Sequence, residues 1–242
     1  MNVNAPGYRP HPGLIEDRAR FTQLELWNCR AKHWGTDQID PLDALEPGVA
    51  LRMNGFQIET VSTLGEMTSN GKLVQVAGLI HRGDRIVQIA SSRFSQVEQR
   101  FTAAHELGHA ILHPNGALLH RDRPADTTGW QKDPTEREAD FFAACFLMPG
   151  RQVHRWFRKF FLTDRFVLND DTAFALCTKP LDSVLQRIRS HRDLSLTLAR
   201  TISYNGQQFK SLSELFRVSP TAMACRLEEL GLAFDPRASH RA

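Results

Sequence analysis

The chain has 242 residues, of which 41% are hydrophobic and 24% are charged, and its formal net charge at pH 7 is +3. These values are ordinary for a soluble globular protein, and the length suits one large domain or one domain with a small module. The four cysteines include no Cys-x-x-Cys pair, which argues against a structural zinc knuckle and against a disulfide framework. No run of about 18 apolar residues occurs, and the N-terminus lacks an apolar stretch of signal-peptide length. We therefore expect a soluble cytoplasmic protein with no membrane partner.

The first predicted elements are a helix over residues 14–34 and a loop punctuated by proline and glycine around residues 41–48. Three strands are predicted next, over residues 56–62, 73–80 and 85–89. A short turn-like sequence containing a glycine separates the last two strands, which favours an antiparallel hairpin. We therefore expect a small antiparallel sheet in this part of the chain.

Two helices with clear end signals follow the strands. Ser95 and Glu98 form a capping-box pattern, in which each side chain accepts a hydrogen bond from the other residue's backbone. Pro114 ends the helix that they begin. Asp133, an N-cap followed by proline, begins a second helix that runs to Leu147. The residues between these two helices are predicted to form a loop.

The chain beyond residue 150 is predicted to be an all-helical module. Its helices are expected over residues 152–161, 181–190 and 194–203, and its end, residues 211–232, has the rhythm of a helix-turn-helix. We therefore predict a boundary between a domain of residues 1–150 and a module of residues 151–242.

Charge is unevenly distributed over this C-terminal module. Residues 151–210 hold 11 Lys and Arg against 5 Asp and Glu, a charge of +6 (11 − 5). An acidic partner, nucleic acid or simply a solvated helix face would each explain this excess. Residues 211–242 hold 4 of each sign, which is poor for phosphate contacts. We therefore interpret the helix-turn-helix-like end as a packing module and do not expect specific DNA binding.

His105, Glu106 and His109 form a His-Glu-x-x-His pattern on the first of the two marked helices. Positions i and i+4 lie about 6 Å apart along one helix face, so the two imidazoles can bind one Zn²⁺. Glu106 lies one step round the helix, where it can take a proton from a water that the metal activates. A chance match on a solvated helix is the alternative, expected in about 2 of 100 such sequences.

A catalytic zinc needs a third protein ligand, and the second marked helix offers two carboxylates on one face. Glu136 and Asp140 share that face, whereas Glu138 lies about 200° from Glu136 around the helix. We predict Glu136 as the third ligand and Asp140 as the acceptor for the free N–H of a ligating histidine. The alternative for Glu136 is a capping box with Asp133. We interpret His113 as a helix cap or a packing residue, because it lies about 80° round the helix from His105.

Three stretches of the sequence resemble the ImmA/IrrE family of metallopeptidases. They are RFTAAHELGHAILH at residues 100–113, EREADFFAACFLMP at residues 136–149 and FRVSPTAMACRLEELGL at residues 216–232. The resemblance implies a zincin-like core, zinc held by His105, His109 and Glu136, and Glu106 as the general base. It also implies limited cleavage of a helix-turn-helix repressor or antitoxin in a stress response or a toxin-antitoxin system. Position 140 is Asp where the family often has Asn.

The sequence therefore predicts an α+β fold, with a small antiparallel sheet beside the two marked helices and an all-helical C-terminal module. The expected function is zinc-dependent cleavage of a protein partner. A DNA-binding regulator with a sensory or vestigial zinc site is the main alternative, and a zinc hydrolase with a non-peptide substrate is a third. His113, His120 and Arg100 are candidates for stabilising the oxyanion. The sequence identifies neither the substrate nor the oligomeric state.

Overall fold

The structure is a computed structural model that describes residues 11–69, 72–115, 119–122, 134–177 and 180–236. The chain divides into two compact units, Met1–Leu147 and Met148–Ala242. Within the described ranges, helices and small sheets both occur, so the fold is α+β. None of the described helices has the length and apolar character needed to cross a membrane.

The first unit contains five helices and six strands among its described residues. The helices are α1 (Pro12–Asn28), α2 (Arg30–Trp34), α3 (Pro47–Met53), α4 (Gln96–Leu112) and α5 (Pro134–Leu147). The strands are β1 (Gln57–Val61), β2 (Glu66–Ser69), β3 (Lys72–Gln75), β4 (Gly78–His81), β5 (Ile86–Ala90) and β6 (Leu119–Asp122).

The N-terminal helices differ from the sequence prediction at two points. The single helix predicted over residues 14–34 is interrupted at Cys29, which separates α1 from α2. Pro47 and Gly48 begin α3 although they were predicted to lie in a loop. Glu46 explains this, because its side chain accepts a hydrogen bond from the Gly48 N–H and proline suits the first helical position.

Four strands form one sheet in the order β1-β5-β4-β6. The predicted hairpin is confirmed, since β4 and β5 pair antiparallel, and β6 also pairs antiparallel with β4. The prediction of a purely antiparallel sheet was wrong, because β1 pairs parallel with β5. A parallel pair requires a crossover connection, and here β2, β3 and β4 lie between the two strands in the chain. The strand predicted over residues 73–80 is in fact two strands, β3 and β4; β3 pairs with β2, and β4 belongs to the four-stranded sheet.

Helix α4 is the central element of this unit, because it contacts β4, β5, α3 and α5. Its predicted capping box is confirmed: the Glu98 carboxylate accepts from the Ser95 N–H at 2.7 Å and the Ser95 hydroxyl accepts from the Glu98 N–H. The predicted N-cap of α5, Asp133, lies outside the described residues. Gly108 faces α5, where a Cβ would lie 3.1 Å from the Cα and the carbonyl oxygen of Ala139. The glycine therefore permits a close approach of α4 and α5.

The second unit, Met148–Ala242, also contains both helices and strands. Its helices are α6 (Gly150–Phe161), α7 (Asp170–Cys177), α8 (Leu181–Leu185), α9 (His191–Arg200), α10 (Leu212–Phe216) and α11 (Pro220–Glu229). Its strands are β7 (Phe166–Val167), β8 (Ser203–Tyr204), β9 (Gln207–Gln208) and β10 (Ala233–Phe234).

The prediction that this module is all-helical was wrong. Strands β7 and β10 pair parallel, and β8 and β9 form a short antiparallel hairpin. Asn205 and Gly206 form the hairpin turn with positive φ angles of 48° and 77°. Asn-Gly is a strong sequence signal for such a two-residue turn, so the sequence carried this information.

The helix-turn-helix-like end consists of α10 and α11, and α11 packs against α9. Met223 and Leu227 on α11 are fully buried. Arg226 is also buried, and its guanidinium donates to the carbonyl oxygen of Met148 and to Glu229. The guanidinium of Arg226 therefore makes these hydrogen bonds within the second unit.

Candidate metal centre

Helix α4 places His105, Glu106 and His109 in the interior of the first unit. Their exposed fractions are 2%, 0% and 2%, respectively. Ala104 and Gly108 of the same helix are also buried, and Gly108 lies against Ala139 on α5. Burial of two imidazoles and a carboxylate on one helix is costly unless each polar group is compensated.

The side chain of Glu136 on α5 completes a compact group of ligand atoms. His105 Nε2 lies 2.9 Å from His109 Nε2. Of the two Glu136 carboxylate oxygens, Oε2 lies 3.6 Å from His105 Nε2 and Oε1 lies 3.2 Å from His109 Nε2. Zinc–ligand bonds of about 2.0–2.1 Å at tetrahedral angles separate ligand atoms by about 3.3 Å. The three separations scatter around that value, so these three residues could hold a metal ion. Among the described residues, these three each offer one ligand atom, and the three atoms all lie within 4.8 Å of one another.

Asp140 lies on the side of His105 that faces away from Glu136. Its Oδ1 is 3.0 Å from His105 Nδ1. A carboxylate accepts hydrogen bonds, so in this contact the Nδ1–H of His105 donates and Nε2 keeps its lone pair. The structure therefore brings Asp140 to the histidine nitrogen that does not face the group of ligand atoms.

His113 and Glu138 form a second set of contacts that sequence analysis missed. His109 Nδ1 lies 3.1 Å from His113 Nδ1, and His113 Nε2 lies 2.9 Å from Glu138 Oε2. His113 is also the C-cap residue of α4, in agreement with one of the two roles expected for it. The contact of Glu138 was not expected, because Glu138 lies about 200° from Glu136 around α5. Its Oε2 nevertheless reaches the ring of His113 at the end of α4.

Gly78 on β4 lies directly against Glu106. A Cβ at this position would overlap the Glu106 carboxylate and the methyl group of Thr102. The strand therefore approaches α4 closely at the point where Glu106 lies, and only glycine fits there without displacement. A glycine within a strand is a weak signal of a close approach, and it does not identify the partner.

Arg82, in the turn after β4, holds the C-terminal end of α4. Its Nε and Nη2 donate to the carbonyl oxygens of His113 and His109 at 3.2 and 3.1 Å. Burial lowers the pKa of Arg82 below its ordinary value, and the negative charge of Glu106 opposes this shift. A cation at this end also interacts favourably with the helix dipole. No local sequence pattern indicates this role.

The three candidates for oxyanion stabilisation occupy different places. Arg100 donates to the carbonyl oxygen of Leu45 and lies 3.9 Å from a Glu46 oxygen, so it interacts with the residues that precede α3. His113 contacts His109 and Glu138 as described above. His120 lies on β6, but its side chain lies outside the described part of the structure.

Residues 63–165 match the family model for the peptidase M78, IrrE N-terminal-like domain. The matched segment includes α4, α5 and all three residues of the candidate metal group. No curated protein matches the chain.

Proposed function

Since residues 63–165 of this chain belong to the ImmA/IrrE family of metallopeptidases, we propose that the protein is a zinc-dependent endopeptidase that makes limited cleavages in a protein partner. The observation that carries the proposal is the convergence of His105 Nε2, His109 Nε2 and the Glu136 carboxylate beside a buried Glu106. Two imidazoles and a carboxylate are one ligand set of catalytic zinc sites, in which water or substrate takes the fourth position.

His105, His109 and Glu136 would hold the metal ion in this proposal. When bound, the metal ion supplies the positive charge that acidifies a water molecule and polarises the scissile carbonyl group. The protein supplies three fixed ligands on two helices, and the close packing of those helices at Gly108 sets the distance between the ligands. The zincin-like core that the family resemblance implies is part of the same proposal.

Glu106 is the proposed general base. It neighbours His105 in sequence but projects from α4 towards Gly78 on β4, so it is not one of the three ligands. Its carboxylate would accept a proton from the attacking water and then donate that proton to the leaving amide nitrogen. The buried environment excludes bulk water, which strengthens the electrostatic interactions of the carboxylate.

The proposed substrate class is a helix-turn-helix transcriptional repressor or an antitoxin. Support for it comes from the family resemblance of residues 100–113, 136–149 and 216–232. Cleavage of such a regulator would inactivate it in the cytoplasm and release the genes that it represses.

The test uses purified protein and the repressor encoded beside its gene, with and without a chelator. We expect cleavage that the chelator abolishes and that added Zn²⁺ restores. Glu106→Gln should reduce the cleavage rate by about 10²- to 10⁴-fold while zinc content and thermal stability stay close to those of the wild type. His105→Ala should lose both zinc and activity.

The matched control is Glu98→Gln, the same substitution on the same helix. Gln also serves in a capping box, and Glu98 lies at the exposed start of α4, so zinc content and cleavage should be unchanged. Near wild-type cleavage by Glu106→Gln would contradict the assignment of the base. Loss of zinc from this variant would show that Glu106 is a ligand, and cleavage in the presence of chelator would contradict a metallopeptidase.

A further inference from the structure

Three histidine rings lie in contact, one after another, along α4. His105 and His109 meet through their Nε2 atoms at 2.9 Å, and His109 and His113 meet through their Nδ1 atoms at 3.1 Å. The row of contacts ends at Glu138 on α5, whose Oε2 lies 2.9 Å from His113 Nε2. The side chains of His113 and Glu138 are only 13% and 14% exposed. Water therefore competes little for these contacts.

The Glu138 carboxylate and the two Nδ1 atoms in contact define one arrangement of protons in which every contact from His109 to Glu138 has a donor and an acceptor. Glu138 is an acceptor, so the Nε2–H of His113 donates to it. Neutral His113 then has a lone pair on Nδ1, which accepts the Nδ1–H of His109. His109 is left with a lone pair on Nε2, the atom that faces Glu136. The contacts thus select the tautomer of His109 that a metal ion requires at Nε2.

We propose that His113 and Glu138 are positioning residues that hold His109 as a metal ligand, as Asp140 does for His105. The inference rests on the proposed function to the extent that it requires a metal ion at these ligands, but it does not require a peptide substrate. The two ligand histidines would then be oriented in different ways. A carboxylate orients the first ring directly, and a carboxylate acting through a second imidazole orients the other.

The backbone at the end of α4 is fixed independently by Arg82, which binds the carbonyl oxygens of His109 and His113. Capping of α4 by His113 uses its backbone N–H, which donates to the carbonyl oxygen of His109 at 3.1 Å. A purely structural role at the helix end is therefore separable from the proposed role of the ring. Substitutions of the His113 side chain retain the backbone bond and remove only the ring contacts.

Two substitutions of His113 test the proposal through the zinc dissociation constant, measured by competition with a chromophoric chelator. His113→Leu cannot accept the His109 proton, so zinc affinity should fall by about 10- to 100-fold. His113→Asn places a carbonyl oxygen near the position of Nδ1, and its affinity should stay close to that of the wild type. His154→Leu, at an exposed histidine on α6, is the control and should change nothing.

A double-mutant cycle tests whether Glu138 acts through His113. Glu138→Ala should weaken zinc binding by about 10- to 100-fold in the wild-type background. It should have little effect in the His113→Asn background, where no Nε2–H remains to donate to Glu138. Equal losses in the two backgrounds would show that Glu138 acts on α5 alone and would overturn the proposed action through His113.

The proton NMR spectrum of the Co²⁺-loaded protein tests the role of the ring directly. A purely structural role of His113 would not change this spectrum. Each ligating histidine should give one exchangeable, paramagnetically shifted N–H proton, and both should exchange slowly with solvent in the wild type. His113→Leu should accelerate the exchange of one of them, and His113→Asn should restore slow exchange. Unchanged affinity and unchanged exchange in His113→Leu would overturn the proposal, and so would equal losses in His113→Leu and His113→Asn.

These measurements also distinguish the proposal from the function on which it rests. A protein that binds zinc as expected but cleaves no repressor would contradict the peptidase function and leave the positioning role intact. A wild-type protein without measurable zinc affinity would contradict both. A protein that cleaves its partner but shows no effect of His113→Leu would contradict the positioning role alone.

Discussion

Gly108→Ala tests the idea that the separation of α4 and α5 determines the metal centre. The added Cβ would lie 3.1 Å from the Cα and carbonyl oxygen of Ala139 and 3.2 Å from Cδ1 of Phe142. Carbon atoms at optimal separation lie about 3.5–4.0 Å apart, so the helices must separate by about 0.5 Å. The nearest atoms belong to the backbone of α5, which cannot rotate away as a flexible side chain would.

The expected effect on stability is small because two contributions oppose each other. Overpacking of a close contact costs about 1–3 kcal/mol, whereas replacing a helical glycine with alanine stabilises the helix by about 1 kcal/mol. The net loss in the free energy of unfolding is then about 0–2 kcal/mol. The effect on zinc should be larger, because metal sites tolerate deviations of only about 0.2 Å in ligand distance. His109 and Glu136 lie on different helices, so we expect zinc affinity to fall at least about tenfold.

The assay combines denaturant unfolding of the metal-free protein with a zinc competition titration. Gly48→Ala is the matched control, since this helical glycine also lies in a buried segment but its Cβ would have no neighbour nearer than 3.7 Å. It should be neutral or stabilising and should leave zinc affinity unchanged. If Gly108→Ala binds zinc as tightly as the wild type, the helix separation does not set the ligand geometry and the reasoning is refuted.

Further predictions concern the individual residues of the centre and the C-terminal module. Glu136→Ala should weaken zinc binding far more than Glu138→Ala, because Glu136 is a proposed ligand whereas Glu138 acts only through His113. A metal analysis with the reverse result would refute the assignment of Glu136 as a ligand. Asp140→Ala should cost about 10- to 100-fold in zinc affinity or activity, measured by the same titration, and an unchanged value would remove its orienting role. Residues 151–242 should not bind duplex DNA specifically. Nanomolar, sequence-selective binding at physiological salt in a mobility-shift assay would contradict this and favour the regulatory alternative.

Sequence reasoning succeeded where the signal is local. The Ser95–Glu98 capping box lies within one helical turn, and its geometry follows from residue type and spacing. The facing positions of His105 and His109 follow from the helical repeat in the same way. The common face of Glu136 and Asp140 is also a helical property, but their contact with α4 depends on how two helices pack. In the structure the small residues Gly108 and Ala139 lie at that contact.

Sequence reasoning failed where a contact joins distant parts of the chain. Gly78 and Arg82 reach α4 from the β4 strand and its following turn, and no periodicity links them to the His-Glu-x-x-His pattern. The contact of Glu138 with His113 was not predicted, because angular position on α5 does not include the reach of a long side chain. The parallel pairing of β1 with β5 likewise depends on the tertiary fold. The Asn205-Gly206 turn is different, because a clear local signal was present.

Zinc should protect one part of the molecule selectively, because its proposed ligands lie on α4 and α5 alone. A ligand that binds the folded state at a free concentration of about 100 times its dissociation constant stabilises that state by about 2.7 kcal/mol. Amides of α4 and α5 that exchange through opening of the centre should then exchange with deuterium about 100-fold more slowly when zinc is added. Amides of α9 and α11, which pack against each other in the second unit, should show no change. His105→Ala should abolish the protection of α4 and α5, whereas Glu106→Gln should retain it, because only the first removes a ligand. Equal protection of all four helices would show that zinc acts through another site or through association of chains, and protection lost in Glu106→Gln would contradict the separation of base from ligand.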